Sequence, residues 1–174
     1  MCFILTFFFT EFSKELNNLE DINTAFALLL LIISLTTSED NKVFSKIGNG
    51  LLVLLGVEDE DSDSDIEWLS SKISQMRIFD DKNDHMNLSV NDINGEVLVV
   101  SQFTLHASTK KGNRPSYIRA SKPDHAVPMY EAFILQMKDK IQNGVFSGQF
   151  GACMQVDLIN DGPVTIWMDS KNRE

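Results

Sequence analysis

The sequence predicts an α+β domain, mostly antiparallel in its strands and carrying two packed helices. Three observations predict it. Short apolar or alternating runs bounded by Gly, Asn and Asp recur between residues 51 and 168, and two longer segments repeat apolar residues at helical spacing. The third is size: 174 residues with 43% apolar and 23% charged side chains suit one globular domain.

Leu51–Val57 is a continuous apolar run flanked by Gly48, Gly50 and Gly56, the pattern of a strand buried on both faces. Seven of the ten residues from Glu58 to Glu67 are acidic. Ser62 or Ser64 is placed to cap a helix there, and the acids suit its positive end better than they suit a metal. Ile66, Leu69, Ile73 and Met76 continue that helix. Arg77–Phe79 and Met86–Val90 read as short strands around a turn at Asp80–Asp84. Asn94-Gly95 reads as a hairpin leading into the strand Glu96–Phe103. A second helix is expected from Pro128 to about Gln142, with Tyr130, Phe133, Ile134, Met137 and Ile141 as its apolar stripe and Gly144 beyond its end. Met154, Val156 and Leu158 alternate, and Asp161-Gly162-Pro163 turns the chain into a last strand, Val164–Met168.

Residues 1–40 differ from the rest. They hold six acids and a single base, Lys14, and two apolar runs, Cys2–Phe9 and Ala25–Leu35. Neither run reaches the roughly 20 residues of a membrane-spanning helix, and no basic region precedes the first as in a secretory signal. A buried core element, a membrane-associated or targeting role, and a segment foreign to the domain are all compatible with the second run. The expected organisation is therefore an atypical segment over 1–40, a domain over 41–170 and a tail over 171–174.

The net charge of −10 argues against general coating of nucleic acid, which needs cationic surface. Two cysteines, Cys2 and Cys153, form neither a disulfide framework nor a zinc pattern and suit a reducing compartment. The histidines, His85, His106 and His125, are dispersed, no Gly-x-Ser-x-Gly elbow occurs, and Gly48-Asn49-Gly50 lacks a phosphate-loop lysine. Triad hydrolysis, metal chemistry and triphosphate chemistry thus lack support, and no cofactor or metal is expected.

Two segments can carry chemistry. Ser101-Gln102-Phe103-Thr104-Leu105 closes an apolar strand with polar groups that either line a cleft or merely end the strand. Asn160-Asp161-Gly162-Pro163-Val164-Thr165 is a tight turn whose Gly-Pro bond is a candidate cis peptide, a form taken by about 5–6% of such bonds. Between them, residues 108–122 hold Lys110, Lys111, Arg114, Arg119 and Lys122 with Tyr117 interleaved and no acid. That loop is either a phosphate contact or solvated surface.

In this order the segments resemble the D-aminoacyl-tRNA deacylase family over about residues 41–170. The matching stretches are SKIGNGLLVLLGVE, WLSSKISQMRIF, MNLSV, GEVLVVSQFTLHA, KKGNRPSY and FGACMQVDLINDGPVT. The resemblance implies a compact, barrel-like β-rich domain that forms a cytoplasmic homodimer with its sites at the subunit contact and no membrane partner. It implies hydrolysis of the ester joining a D-amino acid, or glycine mischarged on tRNA(Ala), to the 3′ end of tRNA. Ser101, Gln102, Phe103 and Thr104 would form the reaction floor, with Met154 lining the pocket. Gly162 and a cis Pro163 would reject L-amino acids from the partner's pocket, and Lys110, Lys111 and Arg114 would hold phosphates. Within the family a threonine nucleophile and a route through the ribose 2′-hydroxyl both exist as readings, and the lack of an evident base for Thr104 favours the second. The family's first strand, Arg-x-Val-x-Gln-Arg-Val-x-x-Ala-x-Val, has no match in residues 1–40. An editing deacylase for a mischarged L-amino acid and a catalytically silent nucleic-acid-binding protein are the competing readings.

Overall fold

A computed structural model describes residues 33–37 and 42–173. The run Cys2–Phe9, the acidic stretch after it and the first part of Ala25–Leu35 lie outside the described residues. Eight strands and two helices follow in chain order: β1 Ile33–Thr37, β2 Lys42–Ile47, β3 Gly50–Leu55, α1 Asp63–Gln75, β4 Phe79–Asp80, β5 Met86–Leu88, β6 Glu96–Ser101, α2 Pro123–Lys140, β7 Gly144–Ser147 and β8 Met154–Asp157. A four-residue 3-10 turn, Phe103–His106, follows β6.

The apolar run of β3 divides its side chains between two cores, because successive residues of a strand point to opposite faces. Leu51, Val53 and Leu55 join Val97 and Val99 of β6 beneath Ile66, Leu69 and Ile73 of α1 and Tyr130, Phe133 and Met137 of α2. Leu52 joins Leu98, Val100 and Ile47 on the other face, with Met154 and Leu158 packed against them. The result is three layers: two helices, a sheet ordered β3-β6-β7, and a second sheet ordered β2-β1-β8. β1 lies upstream of residue 41 and pairs antiparallel with both β2 and β8, so the folded unit takes in Ile33–Thr37.

Several expectations are corrected. The central sheet is wholly parallel, β6 pairing with β3 and with β7, while antiparallel pairing is confined to β2-β1-β8 and to β4-β5. The three sheets do not close into a barrel. Asn94-Gly95 does turn the chain, with Asn94 at φ 52 and the Gly95 amide donating to the Val90 carbonyl, but no hairpin forms. β6 has both edges occupied by parallel partners, and such partners require long crossovers in place of tight turns. Those crossovers are the segments that carry α1 and α2.

Helix α2 starts at Pro123, five residues before the expected start; Pro123 stands in its first turn and Pro128 inside it. The amide missing at Pro128 leaves only one carbonyl, that of exposed Asp124, without an intrahelical donor. Val164–Met168 forms no strand: Val164, Ile166 and Met168 pack on the helix-side core while Thr165 and Trp167 face out. Residues 171–173 are held down. Lys171 Nζ donates to Asp65 at 2.6 Å and to the Glu60 carbonyl at 2.7 Å, and Arg173 lies over the Trp68 ring.

One glycine is required by the sheet. At Gly50 a Cβ would overlap the Glu96 carbonyl of β6, and the Glu96 carboxylate accepts the Gly48 amide at 2.8 Å. The Gly48-Asn49-Gly50 turn therefore sets the register of β3 on β6.

Candidate active site

The parallel sheet ends in a cleft of about 290 Å³ at the carboxyl ends of β3 and β6. Ser101, Gln102 and Phe103 form one wall, and Met154 with Phe150 to Cys153 forms the wall opposite. Tyr130 closes the back. Its hydroxyl donates to the Val99 carbonyl at 2.8 Å, with the Gly148 carbonyl at 3.3 Å, and burial pushes its pKa up to about 12. Tyr130 therefore braces β6 against the loop after β7 and keeps its proton at neutral pH.

The wall after β6 is built by a change of backbone. The Gln102 amide still donates to the Leu55 carbonyl of β3 at 2.8 Å, and the chain then tightens so that the Leu105 amide returns to the Gln102 carbonyl. The Phe103 and Thr104 amides precede that first closed bond, so the turn itself does not consume them. The Gln102 side chain donates from Nε2 to Thr104 Oγ1 at 2.6 Å. That contact fixes the hydroxyl oxygen as an acceptor and leaves its proton to donate. Phe103 is 57% exposed and meets Tyr117 of the basic loop edge-on, with ring centroids 5.1 Å apart.

No carboxylate, imidazole or amine lines the cleft among the described residues. His106, the histidine nearest by sequence, is buried and faces Glu58 Oε1 across 3.2 Å. Desolvation lowers its pKa, against the opposing pull of Glu58. A buried ring turned away from the cleft cannot serve as a base for Thr104. No group of three or more His, Cys, Asp or Glu side chains among the described residues is placed to hold a metal ion, and no helix among them is long and apolar enough to cross a membrane.

The structure thus brings Ser101, Gln102, Phe103 and Met154 into one cleft, with Thr104 tied to Gln102 at its edge. It does not bring the other predicted residues there. Lys110, Lys111 and Arg114 are exposed in a loop pinched by the Ser108–Ser116 bridge. Gly162 and Pro163 are exposed and absent from the cleft lining. The bond between them is trans, contrary to the cis expectation: no peptide among the described residues is cis. Trans is the lower form of an X–Pro bond by about 0.5–1 kcal/mol, and on an exposed turn that preference meets no opposing packing. Gly162 sits at φ +126, and the Asn160 side chain accepts the Val164 amide at 3.1 Å, bracing the turn from within.

Sequence reasoning missed Tyr130 as a wall, having read it only as core, and missed Ser121, Phe150 and Cys153. It also missed the contact of Glu58 with His106 and Arg119. Nothing local in the sequence marks these residues, because long-range pairing brings them together.

Known proteins resemble this chain over most of its length. The family described as D-Tyr-tRNA(Tyr) deacylase matches residues 33–169. A protein of Flavobacterium psychrophilum named D-aminoacyl-tRNA deacylase is 62% identical over 135 residues, 78% of this chain and 90% of that protein. One of Christiangramia forsetii with the same name is 50% identical over 147 residues, 84% of this chain and 98% of that one. Among solved structures, one named c-Myc DNA Unwinding Element Binding Protein has a TM-score of 0.74 at 38% identity, covering 80% of this chain and 93% of its own. A probable eukaryotic D-amino acid tRNA deacylase has a TM-score of 0.64 at 18% identity, covering 79% and 93%, and shares the fold.

Proposed function

The chain belongs to the D-Tyr-tRNA(Tyr) deacylase family, and on that premise we propose that it hydrolyses the ester between a D-amino acid and the 3′ end of tRNA. Free D-amino acid and tRNA are the products, and glycine mischarged on tRNA(Ala) is a further substrate. The reaction belongs to the quality control of translation in the cytoplasm. One observation carries the mechanism: Ser101, Gln102 and Phe103 wall a cleft that no carboxylate, imidazole or amine lines among the described residues, with Thr104 held at its edge by Gln102.

In such a cleft the protein contributes donors and position. As water adds to the ester carbonyl, negative charge develops on the carbonyl oxygen. The Phe103 and Thr104 amides are suited to receive it, each worth roughly 3–4 kcal/mol when well aimed. The water loses a proton and the departing 3′ oxygen gains one. The neighbouring ribose 2′-hydroxyl is placed by covalent structure to carry that proton across, so no protein base is needed. The carbonyl–oxygen bond breaks, leaving a carboxylate and a free 3′-hydroxyl. Dependence on a 2′-hydroxyl makes the substrate RNA.

Lys110, Lys111 and Arg114 hold the acceptor-end phosphates, and Met154 lines the amino-acid pocket. Rejection of L-substrates comes from a second copy of the chain, whose exposed Gly162-Pro163 backbone enters the cleft. Exposed Val43 and Phe44 of β2, Phe146 of β7 and Val156 of β8 support a homodimer, since apolar side chains on a sheet surface gain by being covered. A rigid backbone obstacle excludes one hand and tolerates many side chains of the other.

Incubation with D-Tyr-tRNA and L-Tyr-tRNA tests the proposal. Rapid loss of the D-ester alone supports it. Equal hydrolysis of both, or of neither, counts against it. Preferential loss of a mischarged L-ester would identify an editing enzyme. Binding without turnover would favour the silent nucleic-acid-binding reading, toward which the name of the 38% identical DNA-binding relative points.

A further inference from the structure

The basic loop carries apolar surface that phosphate contacts do not account for. Tyr117 is 38% exposed and Ile118 is 91% exposed, in a stretch that holds Lys110, Lys111 and Arg114 and no acid. Tyr117 is not a loose side chain. Before it, Ser108 and Ser116 exchange amide-to-carbonyl bonds of 2.7 and 2.9 Å; after it, the Ala120 amide donates to the Tyr117 carbonyl at 3.0 Å. Ala120 in turn bridges the segment that follows β3, so both flanks of the residue are tied down. Its ring is held as well, meeting that of Phe103 with centroids 5.1 Å apart and planes at 74°.

Phe103 lines the cleft and Tyr117 does not, so the pair leads from the ester site out to the basic loop. More than half of Phe103 is exposed too, which leaves aromatic surface open at the rim. In an edge-to-face pair each ring gives the other an edge or a face, and the faces not used remain free for a third ring. The chemistry around the rim narrows what that ring belongs to. Apolar rings beside exposed cations match a single strand of nucleic acid, whose bases present flat faces and whose backbone is anionic. A duplex has its bases already stacked and offers no such face.

Resting on the deacylase reading, we propose that the rings of Phe103 and Tyr117 form a stacking platform for the unpaired base that precedes the terminal nucleotide of tRNA. The terminal nucleotide is committed to the cleft by its ester, so the nucleotide before it is the one that passes the rim. Its base lies on the ring pair, with Ile118 extending the apolar surface, and its phosphates face Lys110, Lys111 and Arg114. The platform selects an open 3′ end and sets how far the terminal ribose enters the cleft. Neither ring takes part in breaking the ester.

The test measures Kd by fluorescence anisotropy, using the full chain and a labelled acceptor-end minihelix of tRNA that carries no amino acid. The RNA is intact, or abasic at the penultimate nucleotide, or abasic at the terminal one. The protein is wild type, Tyr117→Phe or Tyr117→Leu; leucine keeps apolar area but has no flat face. Loss of one stacked base should raise Kd about tenfold, both for the penultimate abasic RNA on wild type and for intact RNA on Tyr117→Leu. Tyr117→Phe should bind like wild type. The two losses combined should exceed either alone by less than about twofold, because they remove one and the same contact. Wild type binding the penultimate abasic RNA as tightly as the intact one would overturn the proposal. So would coupling of Tyr117→Leu to the terminal base instead, or full affinity in Tyr117→Leu. A change of oligomeric state in Tyr117→Leu, read by sedimentation, would make the patch a subunit contact and overturn it as well. Hydrolysis of D-Tyr-tRNA by the wild type is assayed separately. If hydrolysis fails while the coupling persists, the deacylase reading falls and the platform stands; if hydrolysis succeeds without the coupling, the platform alone falls.

Discussion

Replacing Thr104 by valine distinguishes a positioned hydroxyl from an attacking one. The two side chains have nearly the same shape, so packing at this half-buried position is kept. The change removes Oγ1, which accepts the Gln102 amide at 2.6 Å. A neutral hydrogen bond of this kind contributes about 0.5–1.5 kcal/mol net. If all of it is felt in the transition state, kcat falls about two- to tenfold. A nucleophile has a different signature, because removing one from a covalent mechanism costs at least about a thousandfold. Single-turnover hydrolysis of D-Tyr-tRNA, followed by release of free tRNA, reads the difference directly. A Gln102→Leu, Thr104→Val double variant refines it. Residues that act only through each other should lose no more together than singly. Hydrolysis at the uncatalysed rate in Thr104→Val, with an intact fold, would refute the base-free mechanism.

Lys110→Ala with Lys111→Ala should raise KM and flatten the salt dependence of tRNA binding by up to about two counterions; an unaltered slope would make the loop solvated surface. Asp65 links the carboxyl-terminal residues to α1: burial alone would raise its pKa, but hydrogen bonds from Lys171, Ser62 and Ser170 bring it from 3.8 to about 2. A depressed carboxyl stabilises the native state above its unfolded value, so about 2 kcal/mol should be lost as pH falls from about 4 through 2. Lys171 is partly exposed and screened, so Lys171→Met should cost about 1 kcal/mol at neutral pH and move the acid transition upward, as urea titrations at several pH values will register. A chain beginning at Ile33 should unfold cooperatively, and one beginning at residue 41 should not, because β1 is the central strand of its sheet and its loss unpairs β2 and β8. Circular dichroism during urea unfolding decides that comparison.

Much of this was written locally in the chain. Ser62 at the start of α1, with the Asp65 carboxylate taking its amide at 2.9 Å, follows from short-range chemistry. So do the stripes of Ile66, Leu69 and Ile73 and of Tyr130, Phe133 and Met137, which pack where their spacing requires. The polar segment closing β6 was also readable, and it lines the cleft. The reading failed where two short-range signals were equivalent. Pro123 and Pro128 are both acceptable helix starters, and an Asn-Gly turn is the same object whether its strands pair or part. Val145 to Ser147 is too short to show alternation, so β7 was invisible.

The sequence by itself determined the helices, the buried run of β3 and the chemical character of the Ser101–Thr104 wall, because propensity, capping and periodicity act within a few residues of chain. Only the tertiary structure decided that β6 pairs in parallel on both edges. It alone showed that His106 is buried beside Glu58, that Gly162-Pro163 stands away from its own cleft, and that no carboxylate, imidazole or amine among the described residues lines that cleft. Those outcomes depend on which distant segments exclude water from one another, and burial of that kind is a property of the assembled layers.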